Sequence, residues 1–130
     1  MSREDVVHVL GRMVEAVVPG GLVLDLQVIR PNPVVEADGL FVCEIDGEPL
    51  FRDADVATSA VDALADNGSL AEEALDDHDV GAYYDSGPDL IAAFAEKRRR
   101  IPDDALPALG SLRRVCAIRE RCRLRRLRVC

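Results

Sequence analysis

The densest group of side chains that can carry chemistry lies between residues 76 and 85. Its members are Asp76, Asp77, His78, Asp79, Tyr83, Tyr84 and Asp85. A histidine among carboxylates can act as a general base or hold a metal ion, so His78, Asp79 and Tyr83 are the candidate catalytic residues. The alternative is a solvated loop that leads into a strand. In a strand, residues 77 and 79 point away from residue 78, so adjacent acids need not converge on the histidine.

The cysteines are the other nucleophilic side chains, at positions 43, 116, 122 and 130. None belongs to a C-x-x-C pair, and both histidines lie far from them in sequence, which is a poor match to zinc-ligand spacing. We therefore predict no metal site and expect the cysteines to be small core residues. Cys130 is the exception, because a terminal residue is accessible.

The charges are unevenly distributed over the 130 residues, a length that suits a single domain spanning residues 1–130. Residues 1–96 hold 21 acidic and 4 basic side chains, whereas residues 97–130 hold 3 and 12. The basic end can either bind a polyanion or pack on the acidic body. We expect packing, because opposite charges within one small domain attract each other first. Since no aromatic residues interleave with the arginines to stack on bases, we do not expect a nucleic-acid partner.

Two absences in the sequence bear on where the protein acts. The chain has no recognisable signal peptide and no apolar run near 18 residues. We therefore expect a cytoplasmic protein with reduced thiols and no membrane partner.

The N-terminal residues predict a helix, a sharp turn and a strand. A capping box at residues 2–5 precedes apolar residues at helical spacing, namely Val6, Leu10, Met13, Val14 and Val17. Pro19 ends this helix, Gly20-Gly21 turns the chain, and residues 22–29 form a strand. One face of the strand is wholly apolar (Leu22, Leu24, Leu26 and Val28), so we expect cover on both faces and a destroyed fold if Leu24 becomes lysine.

Asp25 and Gln27 interrupt the second face of this strand near its end. Open α/β sheets bind ligands at such strand ends, so the two residues are candidates for a binding site. The alternative is that they simply face water, as polar residues on a half-buried strand usually do.

The middle of the chain predicts a peripheral hairpin followed by helices. Pro31 and Pro33 end the first strand, because neither can donate to a ladder. Residues 40–45 then form a strand, Asp46-Gly47 a hairpin turn, and residues 48–51 a short return strand. The remaining predicted elements are a helix from residue 53 or 55 to 67, a loop or helix from residue 69, a strand at residues 78–84, a helix at residues 86–100 and a short helical segment at residues 102–109.

The C-terminal residues 112–130 form a basic strand or tail. Alternation predicts a long strand with Cys116, Ile118, Cys122 and Leu124 facing inward. Residues 125–128 are too charged to continue as a central strand, so we expect them to fray or to lie over the acidic body.

The order of these elements resembles the C-terminal half of a class I S-adenosylmethionine-dependent methyltransferase. In that family a helix ends in a Pro-Gly-Gly turn before the fifth strand, much as residues 6–18, Pro19-Gly20-Gly21 and residues 22–28 do here. Residues 54–67, 78–84 and 114–127 take the places of the next helix, the sixth strand and the antiparallel seventh strand. The resemblance implies an α/β (or α+β) fold, a small mixed sheet with helices packed on it and an inserted β-hairpin.

The resemblance also sets an expectation for function. The family holds its cofactor on a glycine-rich loop after the first strand, but none of the nine glycines here forms a G-x-G-x-G pattern after a strand. The resemblance therefore implies a methyltransferase-like half-domain from a split, truncated or degenerate enzyme, not catalytic alone. It has no cofactor-binding residue, and S-adenosylmethionine binds only if a partner completes the fold. The alternative is a small α+β protein-interaction module without enzymatic activity.

The half-domain hypothesis also predicts a partner. The family's earlier strands supply one edge for the strand at residues 22–29, and those strands are missing here. An open apolar edge is a template for pairing with another chain. We therefore expect a homo-oligomer, or a partner chain that completes the sheet, with the contact at the helix of residues 3–18 or at strand 22–29.

Overall fold

A computed structural model describes residues 3–97 and 99–130, with side chains from His8 onward. The predicted cap at Ser2, the predicted buried side chain of Val6 and the contribution of Arg98 to a helix end lie outside the described residues. The helices are α1 (Arg3–Ala16), α2 (Glu48–Asp66), α3 (Gly87–Phe94) and α4 (Leu106–Ser111), with a 3-10 turn at Asp103–Ala105. The strands are β1 (Leu22–Ala37), β2 (Leu40–Glu44), β3 (Leu70–Tyr84) and β4 (Cys116–Val129).

The four strands form one antiparallel sheet in the order β2-β1-β4-β3. The predicted combination of helices with a sheet is confirmed, but the sheet is not a mixture of parallel and antiparallel strands. The end of β1 pairs with β2, so that Val34 faces Glu44 and Ala37 faces Leu40, with an irregularity after Val35. Strand β1 begins directly after Pro19-Gly20-Gly21, as predicted.

The hairpin turn lies at Asp38-Gly39, earlier in the chain than the predicted turn at Asp46-Gly47. Strand β1 continues through both prolines to Ala37, and Asp38-Gly39 makes the turn into β2, with φ of 53° and 75°. Two consecutive residues with positive φ are what a tight hairpin turn requires, and Asp-Gly supplies them. The predicted turn at Asp46-Gly47 instead starts a helix, because Asp46 Oδ1 accepts a hydrogen bond from the Glu48 backbone N–H at 3.0 Å. Residues 48–51 are therefore helical, and the predicted return strand is wrong.

Other element boundaries also differ from the predictions. The predicted loop or helix after residue 69 is already strand from Leu70, and α3 ends at Phe94 rather than at residue 100. Its start is as predicted, since Ser86 Oγ accepts from the Asp89 backbone N–H at 3.3 Å.

Strand β4 continues to Val129 and is a central strand of the sheet, so the prediction that residues 125–128 fray is wrong. Cys116, Ile118 and Cys122 are buried as predicted, but the alternation then changes phase. Arg125, Leu127 and Val129 are buried in the last part of the strand, whereas Leu124 is only partly buried.

The chain divides into two compact units. The first contains residues 1–28, 52–78 and 122–130, and the second contains residues 29–51 and 79–121. The core of the first unit consists of Val23, Val61, Leu70, Leu127 and Val129, against which Leu10 and Val14 of α1 and Val17 just after it pack. Met13, predicted to share that buried stripe, is 45% exposed. The core of the second unit includes Val35, Ile45, Leu90, Leu109 and Ile118.

Candidate functional site

The three predicted catalytic residues lie along β3, at an edge of the sheet. His78 Nδ1 lies 3.0 Å from Asp76 Oδ2, whereas Asp79 accepts from Arg121 at 3.2 Å. Tyr83 is 78% exposed. Successive strand residues point to opposite faces, so His78 faces away from Asp79 and Tyr83. The structure does not bring the three side chains together, and their catalytic role stays a prediction.

Potential metal ligands are also dispersed. Among residues 3–97 and 99–130, no three or more His, Cys, Asp or Glu side chains are grouped so that they can hold a metal ion.

The prediction that the cysteines are core residues is confirmed for Cys43, Cys116 and Cys122, and Cys130 is exposed. Burial raises the pKa of Cys43 to about 11, and the nearby Cys116 and Asp104 add to the increase. Burial also raises the pKa of Cys116, with a contribution from Asp89. A thiol with a raised pKa stays protonated at neutral pH and is a poor nucleophile.

The start of strand β1 buries one face, and the wholly apolar face is the one left exposed. Val23 and Asp25 are buried, whereas Leu22, Leu24 and Leu26 are 41%, 63% and 59% exposed. We call these three exposed side chains the leucine row. The expectation of cover on both faces is therefore wrong for this strand, and the exposure of Leu24 removes the reason for expecting that lysine there destroys the fold.

The covered face of the first unit contains two buried ionisable side chains, Asp25 and Arg125. Gln27 Nε2 donates to Asp25 Oδ1 at 2.9 Å, so Asp25 does not face water as the simpler interpretation had it. Arg125 donates to Asp62 at 2.8 Å and to Glu72 at 3.0 Å. Burial disfavours its charged form, but the hydrogen bonds that it donates to Glu72 and Asp62, together with the charges of these two acids, outweigh burial and raise its pKa. Alternation along residues 116–124 predicts that Arg125 faces outward, so the sequence does not indicate this buried arginine as a candidate residue.

The other arginines of β4 pair with acids on neighbouring elements. In the first unit Arg123 donates twice to Asp77, at 2.8 and 3.0 Å, and both Arg126 and Arg128 reach Glu73. The hydrogen bond from Arg128 lowers the pKa of Glu73 most strongly, partial desolvation opposes it, and the charges of Arg128 and Arg126 lower it further. The predicted packing of the basic end on the acidic body is confirmed by these contacts.

The second unit repeats the pairing of arginine with acid. Arg119 donates to Glu36 at 2.8 Å, Arg121 to Asp79 at 3.2 Å, and Arg99 to Glu120 at 2.6 Å. Because each of these three arginines already has an acid partner, they offer a polyanion little unpaired positive charge.

Comparisons of the chain with protein-family models, with curated proteins and with solved structures find no match. None of the helices in residues 3–97 and 99–130 has the length and apolar character needed to cross a bilayer. In the first unit the leucine row presents three exposed leucines at alternate positions of one strand.

Proposed function

We propose that this chain is a protein-interaction module that pairs with a second copy of itself through the leucine row. The observation that carries the proposal is the exposure of Leu22, Leu24 and Leu26 along one face of β1. Scattered exposed leucines are ordinary, but a contiguous apolar row among polar residues is typical of an interaction site. Burying a fully exposed leucine contributes about 1.5–3 kcal/mol, and each of these half-exposed leucines contributes a part of that before the costs of association.

The charges beside the leucine row favour a second copy over a foreign partner. Arg128 donates to the Gly20 carbonyl oxygen at 2.7 Å, which places this arginine next to the start of the row, and it also pairs with Glu73. Arg123 and Arg126 are likewise paired with acids. A surface whose charges are already paired does not favour a partner with either a positive or a negative net charge. It is compatible with itself across a two-fold axis, where apolar side chains meet apolar side chains.

Association through the edge of strand 22–29, one of the two geometries expected from the sequence, leaves the leucine row in water, unlike association through the row itself. The two geometries therefore respond differently to a charge on the row. Leu24→Lys introduces a positive charge at the centre of a face-to-face contact, whereas an edge contact through backbone hydrogen bonds tolerates it.

The test is sedimentation velocity over a range of protein concentrations. We expect a native chain that dimerises with rising concentration and a Leu24→Lys variant whose dimer dissociation constant is at least tenfold larger, about 1.4 kcal/mol. Leu40→Lys is the matched control, because Leu40 is 67% exposed and lies outside the row. Circular dichroism should show all three chains folded. A native chain that stays monomeric at high micromolar concentration, or a Leu24→Lys chain that dimerises like the control, overturns the proposal.

A methyltransferase-like half-domain is the second hypothesis. The observation that favours it is the succession of α1, the Gly20-Gly21 turn and β1, the order that the resemblance requires. Rossmann-like sheets are usually parallel and this sheet is antiparallel, so we rank this hypothesis below self-association. It proposes that the cofactor site is incomplete without a partner chain. Calorimetric titration of the isolated chain with S-adenosylmethionine tests this, and micromolar binding contradicts an incomplete site.

A further inference from the structure

The leucine row of the first unit is only one strand wide. A stable dimer buries about 800 Å² on each partner, which is more than three side chains on one strand supply. A contact through the row must therefore include surface beyond β1. In the sheet order, β4 lies beside β1 and β3 lies beside β4. We call the side of the first-unit sheet that carries the leucine row the open face, and its part on β4 and β3 is where further contact surface is to be sought.

Strand β4 places a leucine on the open face next to the end of the row. Arg125 is buried on the covered face, so its neighbour Leu124 points to the open face, where it is partly buried. The Val129 N–H donates to the Gly21 carbonyl at 2.9 Å, and the two strands are antiparallel. Counting the same number of residues along each strand from this hydrogen bond places Leu124 beside Leu26.

Strand β3 continues this line with a further leucine. Arg126, which is exposed and follows the buried Arg125, reaches Glu73 at 3.2 Å, and Arg123 reaches Asp77 at 2.8 Å. Leu75 lies between these two acids at the alternate position of β3, so it points to the same side as Glu73. Its side chain is 48% exposed. Because the two ion pairs flank it, Leu75 lies beside the part of β4 that contains Leu124.

Leu26, Leu124 and Leu75 thus form an apolar line across three neighbouring strands, which we call the leucine arm. The arm meets the leucine row at Leu26, so the two together make one continuous apolar surface on the open face. The charged side chains beside the arm, Arg123 and Arg126, already have acid partners on β3. An ion pair that keeps its partner costs less to cover than a lone charge, so this face can be covered by an apolar surface.

We propose that two copies of the chain pack sheet against sheet, so that the open face from β1 to β3 forms the contact and the leucine arm belongs to it. This inference rests on the self-association proposed above and adds Leu124 and Leu75 to the contact. The surface that each copy presents to the other is then its open sheet face, not a helix and not a strand edge. Sheets that pack face to face lie about 10 Å apart, a distance that lets the leucine side chains of both copies interdigitate.

Sedimentation velocity of Leu75→Lys tests the leucine arm. We expect its dimer dissociation constant to be about tenfold larger than that of the native chain, because the lysine charge would lose water in the contact. Val80→Lys is the matched control, since Val80 lies on the same strand and is 44% exposed but points to the opposite face. It should change the dissociation constant less than about twofold. Circular dichroism should show both variants folded.

The outcomes separate this inference from the proposal on which it rests. A Leu75→Lys chain that dimerises like the native chain overturns the inference, and the proposed function survives if Leu24→Lys still weakens the dimer. A native chain that stays monomeric at high micromolar concentration overturns both.

A second measurement uses a smaller substitution that introduces no charge. Leu75→Cys in a Cys130→Ser chain provides one accessible thiol, because the other three cysteines are buried. We expect its rate of reaction with a maleimide to fall as the protein concentration rises through the dimer dissociation constant. Val80→Cys in the same chain is the control and should react at a constant rate. A Leu75→Cys thiol that reacts equally fast in monomer and dimer overturns the inference, even if Leu75→Lys does not fold.

Discussion

Arg125 Nη1 donates a hydrogen bond of 2.8 Å to Asp62 Oδ1, although the arginine side chain is only 7% exposed. The acid is 55% exposed, and the second acid, Glu72, is 35% exposed. The two carboxylates thus keep part of their hydration, whereas the guanidinium depends on them to offset the cost of removing its charge from water. The pair is asymmetric: removing the acids is far worse for the fold than removing the arginine.

The first prediction tests this asymmetry. Changing Asp62→Asn and Glu72→Gln together leaves the Arg125 charge buried without a carboxylate, and should lower the free energy of unfolding by about 3–5 kcal/mol. Arg125→Met removes the buried charge, fills much of the space and frees two acids that can rehydrate. It should therefore lower the free energy of unfolding clearly less than the double variant does. Urea denaturation at one protein concentration measures both. Arg126→Met, which breaks an exposed pair, is the control and should cost under about 1 kcal/mol. If the double variant and Arg125→Met lower the free energy of unfolding equally, the buried arginine charge does not depend on the two acids as predicted.

The second prediction uses two leucines of the first unit that differ in burial. Leu127 is fully buried in the core, whereas Leu24 is 63% exposed. Leu127→Ala should lower the free energy of unfolding by about 2–5 kcal/mol, because it removes buried methyl groups and leaves a cavity. Leu24→Ala should change it by no more than about 0.5 kcal/mol when measured below the dimer dissociation constant. Similar losses at the two positions would contradict the placement of the leucine row on an open face.

Short-range signals in the sequence predicted several boundaries well. Pro19-Gly20-Gly21 located the start of β1, and Ser86 located the start of α3. The hairpin was placed wrongly because the chain contains two Asp-Gly pairs, at residues 38–39 and 46–47, and both are hairpin signals. The hydrogen bond that Asp46 makes to the start of α2 decides between them, and composition does not show it.

Neighbouring residues in the sequence do not predict which face of β1 is buried, or that Arg125 is buried between two acids. Leucines at alternate positions predict burial, yet which face a helix covers depends on residues far along the chain. Arg125 illustrates the same limit, since its two acid partners lie 63 and 53 positions away. Candidate sites that depend on such pairings require the tertiary structure.

The third prediction concerns the thiols. Of the four cysteines, only Cys130 is exposed, so a native chain should show one rapidly reacting thiol with Ellman's reagent at neutral pH. The remaining three should react only after unfolding in urea. Cys130→Ser should abolish the rapid phase, and Cys43→Ala should leave it unchanged. A rapid phase that survives in Cys130→Ser would show that one of the buried thiols is accessible.

The fourth prediction extends this to alkaline stability. Burial raises the pKa of Cys43 from 9.0 in its ordinary state to about 11 in the folded chain. Between these values the unfolded chain loses the thiol proton and the folded chain keeps it. The stability that the neutral thiol contributes is therefore fully present below pH 9 and decreases as the pH rises towards 11. Urea denaturation from pH 8 to 10.5 should show that the free energy of unfolding declines more steeply for the native chain than for Cys43→Ala. Parallel declines would contradict the stabilising role of the neutral Cys43 thiol.

The last prediction concerns acid and salt at Glu73. Its pKa in the folded chain is lowered, first by the hydrogen bond from Arg128, so the ionised carboxylate stabilises the fold above its ordinary pKa of 4.5. That contribution is lost as the pH falls through the lowered value. Glu73→Gln should therefore be less stable than the native chain at pH 7, and the difference should shrink as the pH falls below 4.5. Because the pair is at the surface, 1 M NaCl should also reduce the difference at pH 7. Glu15→Gln, at an exposed acid of α1, is the matched control and should show a smaller dependence on both. A difference that stays constant with pH and salt would mean that Glu73 acts through packing rather than through its charge.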